Sequence, residues 1–194
     1  AKVNTALNDR NRLFFSLYSG GDHTVFNKLI KGYGMDWGNA TATVRWNHIL
    51  NDRTNINTSA VFSNYYYRYK SLADGLQYLW KSDMQSYQLK SDWETHLNNS
   101  LSLKTGVSAH FFTTMPGSVE KYGDESNVVP SRLPKKTLWD IALYAEGEYK
   151  FLSRFQLNAG VRLSVLCAPS SSSYGAKTYV VPEPRAELSY TLNP

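Results

Sequence analysis

The sequence predicts an all-β fold: an up-and-down antiparallel meander of about eight long strands, forming part of a transmembrane β-barrel. Three observations carry that expectation. The first is a strict period of two from Trp139 to Val165. Trp139, Ile141, Leu143, Ala145, Gly147, Tyr149 and Phe151 alternate with Asp140, Ala142, Tyr144, Glu146, Glu148 and Lys150. After a turn at Leu152-Ser153-Arg154, Phe155, Leu157, Ala159, Val161, Leu163 and Val165 alternate with Gln156, Asn158, Gly160, Arg162 and Ser164. Successive strand side chains point to opposite faces, so one face is greasy and the other charged. The second observation is length: each arm keeps its pattern for about eleven residues, what a strand tilted across a bilayer needs. The third is aromatic placement, with Tyr149, Phe151 and Phe155 at the turn end of the apolar face and Trp139 at the other, as in the two girdles of a membrane barrel wall.

The rest of the chain repeats the rhythm more faintly. Lys2 to Leu7 reads as the end of a descending strand, followed by the polar turn Asn8-Asp9-Arg10-Asn11 and a rising strand from Arg12 to Ser19 with Leu13, Phe15 and Leu17 on one face. Ser19-Gly20-Gly21-Asp22 closes that strand. The segment to Met35, with Phe26, Leu29, Ile30 and Tyr33, lacks clean alternation and reads as a long loop with a helical turn. Trp37 to His48 alternates again, Asn51-Asp52-Arg53-Thr54 turns, and Asn55 to Tyr69 rises to Tyr65-Tyr66-Tyr67. A loop around Ala73-Asp74-Gly75 carries Tyr78 and Trp80. Gln85 to Leu97, the turn Asn98-Asn99-Ser100 and a strand from Leu101 to Phe111 follow. Met115 to Lys136, rich in Gly, Pro, Ser and charge, reads as an exposed loop. After the central hairpin come a Ser-rich loop from Ala168 to Lys177 and a last strand from Tyr179 to Leu192. Short turns near residues 8, 51, 98 and 152 thus alternate with long joins near 22, 72, 120 and 170, the asymmetry of a barrel with one plain rim and one decorated rim.

Composition narrows the function. The 194 residues form one unit, 1–194, with 42% hydrophobic residues, fourteen Tyr and five Trp. Aromatics in that number suit a membrane interface or a carbohydrate-contacting surface. A run of about eighteen apolar residues is absent, so no helix in the sequence spans a membrane. The net charge of +5 comes from scattered Lys and Arg, with Lys135-Lys136 the adjacent pair, which argues against a nucleic-acid reader. Cys167 stands alone, so there is no internal disulfide framework. The start at Ala1-Lys2-Val3-Asn4 and the end at Leu192-Asn193-Pro194 read as cuts in a longer chain, which leaves an export signal open.

Three segments sharpen this. The run from Leu7 through Asn8-Asp9-Arg10-Asn11 to Tyr18, the strand Gln156-Leu157-Asn158-Ala159-Gly160-Val161-Arg162, and Pro182-Glu183-Pro184-Arg185-Ala186-Glu187-Leu188-Ser189-Tyr190 resemble barrel segments of TonB-dependent outer-membrane receptors, particularly Bacteroidetes-type ones. The resemblance implies an internal piece of a barrel of about twenty-two strands that surrounds a plug. It lacks the plug, the TonB-binding segment and a terminal aromatic strand end. It implies barrel wall and extracellular loops of a receptor importing a nutrient of the glycan, siderophore or cobalamin class, with glycan favoured by the Bacteroidetes-type likeness. The implied partners are outer-membrane lipid, the rest of the barrel and plug, the TonB complex indirectly through the absent plug segment, and the ligand. Excised, such a piece keeps two unpaired edges and is expected to curl or self-associate. The competing reading is a soluble β-sandwich or barrel that binds carbohydrate on aromatic loops. The two differ in whether the apolar face meets lipid or packs inward.

Candidate site residues fall into two sets. The polar face supplies Arg45, Lys90, Asp92, Glu94, Lys104, Asp140, Glu146, Glu148, Arg162, Glu183, Arg185 and Glu187, whose mixed signs at spacing two suit a water-filled lumen. Aromatics near the long joins, Tyr33, Trp37, Tyr65, Tyr66, Tyr67, Tyr78 and Trp80, are candidates for stacking on a ligand, weighed against girdle or loop-packing roles. Acid pairs at glycosidase spacing arise by chance in a sheet this rich in acids, so no catalytic residue is assigned. His23, His48, His96 and His110 lack metal-ligand spacing, and neither a phosphate-binding loop nor a nucleophile elbow is present, so no metal or cofactor is expected.

Overall fold

The alternation folds as one antiparallel sheet in a computed structural model of the chain, which describes all residues but 29–30, 74, 125, 153, 170–174 and 193–194. Its strands are β1 (Lys2–Asn8), β2 (Asn11–Lys28), β3 (Lys31–Asn51), β4 (Thr54–Ser71), β5 (Tyr78–His96), β6 (Leu101–Lys121), β7 (Ser131–Arg132), β8 (Lys136–Phe151), β9 (Phe155–Ala168) and β10 (Lys177–Tyr190). Each long strand pairs with its neighbour in sequence, in the order β1-β2-β3-β4-β5-β6-β8-β9-β10, while the two-residue β7 pairs with β6. The meander of eight long strands and a leading stub is therefore present. The sheet is open, with β1 and β10 at its two edges.

Register sorts the two faces. Phe15, Val44, Ala60, Leu89, Ala109, Ile141, Val165 and Val180 are successive cross-strand partners, an unbroken apolar row across eight strands. One residue over, Arg45, Ser59, Lys90, Ser108, Ala142 and Ser164 form the adjoining row on the opposite face. The described residues form one layer, so nothing packs on the apolar row. Leu143 is 59% exposed and Leu89 56%, and Ala142 is the one buried hydrophobic residue among those described. A soluble sandwich would cover these side chains with a second sheet. Among the described residues no helix is long and apolar enough to cross a membrane.

Two aromatic belts bound the apolar face. Phe62, Tyr87, Phe111 and Trp139 are direct cross-strand partners, with ring centroids 5.0, 6.1 and 4.4 Å apart in turn. Nearer the short turns, Tyr149, Phe151, Phe155 and Tyr190 form a second row at 5.7, 5.3 and 4.7 Å. Trp46 and Trp93 stand on the same side, their indole N–H groups donating to Asn11 and Ser91. From Trp139 to Tyr149 the strand climbs ten residues, about 33 Å, and a tilt of about 40° reduces that to about 25 Å, the height of a barrel's apolar band.

Beyond the Phe62 belt the strands continue where loops were expected. The segment from Asp22 to Met35 is not a loop with a helical turn: β2 runs on to Lys28 and β3 starts at Lys31, paired without a register shift. Leu29 and Ile30 lie outside the described residues. Tyr78 and Trp80 sit on β5 rather than on a loop, and β6 extends to Lys121 before the irregular stretch begins. The long joins that remain cover 72–77, 122–130 with 133–135, and 169–176, and most of the Ser-rich segment lies outside the described residues. The reason is a change of parity. Large side chains occupy odd positions in lower β2 (13, 15, 17) and even ones in lower β3 (42, 44, 46), then shift to Phe26 in β2 and to Tyr33, Met35 and Trp37 in β3. A search for one continuous apolar face loses the strand where the greasy side changes over.

The plain rim is made by short turns with a shared device. Asn8, Asn51 and Asn98 each accept a backbone N–H two residues on, from Arg10 at 3.0 Å, Arg53 at 2.9 Å and Ser100 at 2.9 Å. Such a side chain mimics a backbone turn. Asn98 also takes the Leu101 N–H at 2.9 Å. Replacing Asn98 with Ala removes both bonds, and urea unfolding of the full-length barrel is expected to show a loss of about 1 kcal/mol. A change below experimental error would mean that the turn is set by its strands alone.

Candidate functional site

One face of the sheet divides into a charged lower field and an aromatic upper field. In the lower field, Asn57, Asp92, Gly106, Tyr144, Arg162 and Glu183 are successive cross-strand partners. Gly106 leaves room for the Tyr144 ring to lie across it, and the Tyr144 hydroxyl donates to the Asp92 carboxylate. Lys90 reaches the same carboxylate at 3.0 Å. Arg162 lies 3.8 Å from Glu183 and donates to Ser164 at 3.1 Å, and Ser164 in turn donates to Glu183 at 2.8 Å. Arg185 meets Glu183 at 3.3 Å. The twelve charged residues named from sequence all fall on this face by register. Glu94, Lys104 and Glu146 form the row below, with alternating sign, and Glu148 pairs with Lys150 at 3.0 Å. Asp140 stands opposite His110, whose ring packs on Phe112 with centroids 3.7 Å apart, and Arg45 lies over Phe14 at 4.4 Å. Half-exposed pairs of this kind contribute about 0.2 to 1 kcal/mol each, so their effect lies in presenting a wet, neutralised wall more than in stability. Tyr144 was not singled out from sequence. Its signal was a large aromatic in the polar phase.

In the upper field the same face carries Tyr33, Trp37, Tyr65, Tyr67, Tyr78 and Trp80. Tyr66 is placed on the other side, lying over Gly21 and Gly38: a Cβ on Gly38 would come within 2.7 Å of its hydroxyl oxygen. That is a packing position, an aromatic covering bare backbone. Two further rings complete the field, Phe26 and Tyr69. Phe26, Tyr33, Tyr69 and Tyr78 stand in a row with centroid spacings of 5.5, 6.1 and 5.9 Å. Tyr69 was legible as the next odd position after Tyr65 and Tyr67, whereas Phe26 was hidden in the segment read as loop. The Tyr67 hydroxyl approaches Met35 Sδ at 3.6 Å, and Trp80 covers Gly117.

Behind this field, the opposite face is charged. Arg68 pairs with Asp83 at 2.7 Å, Lys81 with Glu120 at 2.5 Å and His23 with Asp36, while Lys70 lies 3.7 Å from the Tyr122 ring centre. The segment after β6 folds back on the β4–β5 join: the Tyr122 and Asn127 N–H groups donate to Gln77 and Gly75 at 3.2 Å each, and Ser126, 4% exposed, donates to Gln77. Among the described residues no group of three or more His, Cys, Asp or Glu is arranged to hold a metal ion.

Comparison with known proteins agrees with this geometry. The family model described as TonB dependent receptor-like, beta-barrel, matches residues 3–194. No curated protein matches the sequence. Among solved structures, the FrpB iron transporter from Neisseria meningitidis aligns with a TM-score of 0.77 at 11% identity, covering 99% of this chain and 34% of that one. The copper transporter OprC aligns at 0.75 and 11% identity, over 99% and 33%. BauA, the ferric preacinetobactin receptor from Acinetobacter baumannii, aligns at 0.72 and 13%, over 96% and 36%. At such identities the likeness is one of fold, and the chain spans about a third of the length of these proteins.

Proposed function

The chain belongs to the TonB-dependent receptor β-barrel family, whose barrels sit in the outer membrane, and from that premise we propose that it forms the wall and outer rim of a receptor importing a scarce nutrient. The apolar face between the belts meets lipid and the charged lower field lines the lumen. The aromatic upper field, raised above the membrane on extended strands, contacts the ligand. The observation that carries this reading is the change of parity. Below the Phe62 belt the greasy side faces one way and the charges the other, and above it the assignment is reversed. A wall passing from hydrocarbon into water needs that reversal, because its outside must become polar while its inside becomes a binding surface.

In this arrangement β1 and β10 join the remaining strands of the barrel, and a plug seats against the charged field and links the ligand to the TonB complex. The acids serve as lumen wall with no catalytic step. Held alone in water, the chain covers its open edges and apolar face by pairing with further copies.

Cysteine labelling tests the facing without a ligand. In full-length receptor carrying Cys167→Ser, Glu146→Cys is expected to react with a water-soluble maleimide in detergent-free membranes, while Leu143→Cys stays protected. Tyr67→Cys is expected to react from outside intact cells. Protection of position 146 with labelling at 143 would reverse the wall.

A further inference from the structure

We propose that the barrel carries a seam on the free side of β10, where the following strand is fastened by a lumen side chain, Arg185, in place of two rungs of the backbone ladder. The inference rests on the reading of this chain as wall within a larger barrel and deepens it. Its basis is the placement of two prolines. Of the seven prolines in the sequence, three lie within strands. Pro116 falls where the pairing of β6 with β5 shifts register, and it has a partner on neither side. Pro182 and Pro184 stand instead inside an unbroken register, opposite Leu163 and Val161 of β9, in the middle of the apolar band.

One hydrogen bond fixes which way those two nitrogens point. The Thr191 N–H donates to the Arg154 carbonyl at 2.9 Å, one step past the pair of Tyr190 with Phe155. Bonded and non-bonded pairs alternate along an antiparallel ladder. Odd residues of β10 therefore turn their N–H and C=O groups to β9, and even residues turn theirs to the free edge. Pro182 and Pro184 thus forfeit no bond to β9 but withhold two successive donors from the strand beyond. Donors on that edge skip from Val180 to Ala186, about 20 Å in a ladder that otherwise repeats every 7 Å or so. Two carbonyls of the following strand face the gap. Water would hydrate them at a rim, whereas at mid-membrane they must be satisfied by protein or from the lumen side.

Arg185 is placed to do so. It lies on the charged face next to Pro184, and its partner on β9 is Gly160, so no side chain across the pair holds it inward. Its one hydrogen bond to a described residue goes to Glu183 at 3.3 Å, which leaves most of the guanidinium fork free on a side chain that is 76% exposed. Glu183 is itself held by the Ser164 hydroxyl at 2.8 Å, so the pair keeps the guanidinium alongside Pro184. A fastening of this kind differs from a backbone rung in being exchangeable. A carboxylate entering from the lumen competes for the same fork, and the seam is where this wall loosens first.

The test uses full-length receptor in lipid vesicles, with heat-modifiable migration confirming that each variant is folded, and reads backbone hydrogen exchange residue by residue. The amides of Val180 and Ala186, which flank the gap, are expected to exchange faster than those of Val181, Glu183 and Arg185, which donate to β9. Restoring the donors with Pro182→Val and Pro184→Val together is expected to slow exchange at Val180 and Ala186 about tenfold, the factor that one or two net hydrogen bonds supply. Ala186→Val, which adds the same side chain without a new donor, is expected to leave Val180 unchanged. Arg185→Ala is expected to speed exchange at both sites, and to do so far less once the two prolines are replaced, a dependence that a merely structural arginine would not show. Exchange that neither the proline pair nor Arg185→Ala moves would overturn the seam and keep the barrel reading. A response to the proline pair alone would overturn the fastening by Arg185. Exchange at Val180, Ala186 and Leu188 as fast as in an unfolded chain would mean that no strand lies beyond β10, and would overturn both the seam and the barrel reading.

Discussion

Val161→Arg is expected to destabilise the full-length barrel by about 2 to 4 kcal/mol, the cost of a charge facing lipid at mid-membrane. Val161 is 51% exposed on the apolar face and lies midway between Phe155 of the lower belt and Cys167, the partner of Trp139 in the upper one. Its neighbours in the row are Ala145 and Pro184, neither of which can pair with a guanidinium. Leu157→Arg should cost less, about 1 kcal/mol, because Leu157 pairs with Tyr149 in the lower belt and a long side chain there reaches the interface. Asn158→Arg should be nearly neutral, for it stands between Glu148 and Glu187 on the charged face. Folding into lipid vesicles under urea, followed by tryptophan fluorescence, orders the three. A flat series would remove the lipid-facing assignment.

The membrane-crossing part of the wall was legible in the sequence because one rule governs it. From Trp139 to Val165 every second residue is apolar, and register then places those residues side by side. The charged set could be named for the same reason: Arg45, Lys90 and Glu183 occupy the off-phase positions of strands whose in-phase positions were unmistakable. What hid the upper strands was the parity change. With Gly20, Gly21, Gly34 and Gly38 in the way and large side chains passing from one phase to the other, residues 22–35 look like irregular chain to any test that asks for a single apolar face. Tyr66 shows the matching limit at one residue. Within Tyr65-Tyr66-Tyr67 composition treats the three alike, and only the pairing of Tyr66 with Gly38 separates a packing ring from two on the opposite face of the sheet.

The second large effect is expected from Gly106→Val. A Cβ there would lie 2.3 Å from the Tyr144 hydroxyl oxygen and 2.6 Å from the Ser91 carbonyl. The tyrosine can swing away, giving up its bond to Asp92, but the carbonyl belongs to the sheet and cannot yield without bending β5. Overpacking of this kind costs about 1 to 3 kcal/mol, and the bent strand adds to it. Gly147→Val is the matched control, because the nearest atom to its added Cβ is the Ala159 carbonyl at 4.0 Å, and removing a glycine from a strand lowers the entropy lost on folding. The first variant should unfold at lower urea and the second at equal or higher urea. Similar midpoints for both would show that the Tyr144 contact has no structural weight.

The parity change also works as a float line. If the barrel sank by two residues, Asn64 and Gln85 would come level with the Phe62 belt, and a descent of six would bring Asp36, Arg68, Lys81 and Asp83 into hydrocarbon from the outside of the wall. If it rose by two, the apolar row beneath the Phe62 belt would lift into water. Each displacement is opposed on β3, β4 and β5, the strands whose registers carry the change, so this part of the wall resists both. On the function proposed above, the tyrosine-lined part of the wall then keeps a constant freeboard above the lipid headgroups, and a solute drifting in from the medium would touch tyrosine before it reached the level of the membrane.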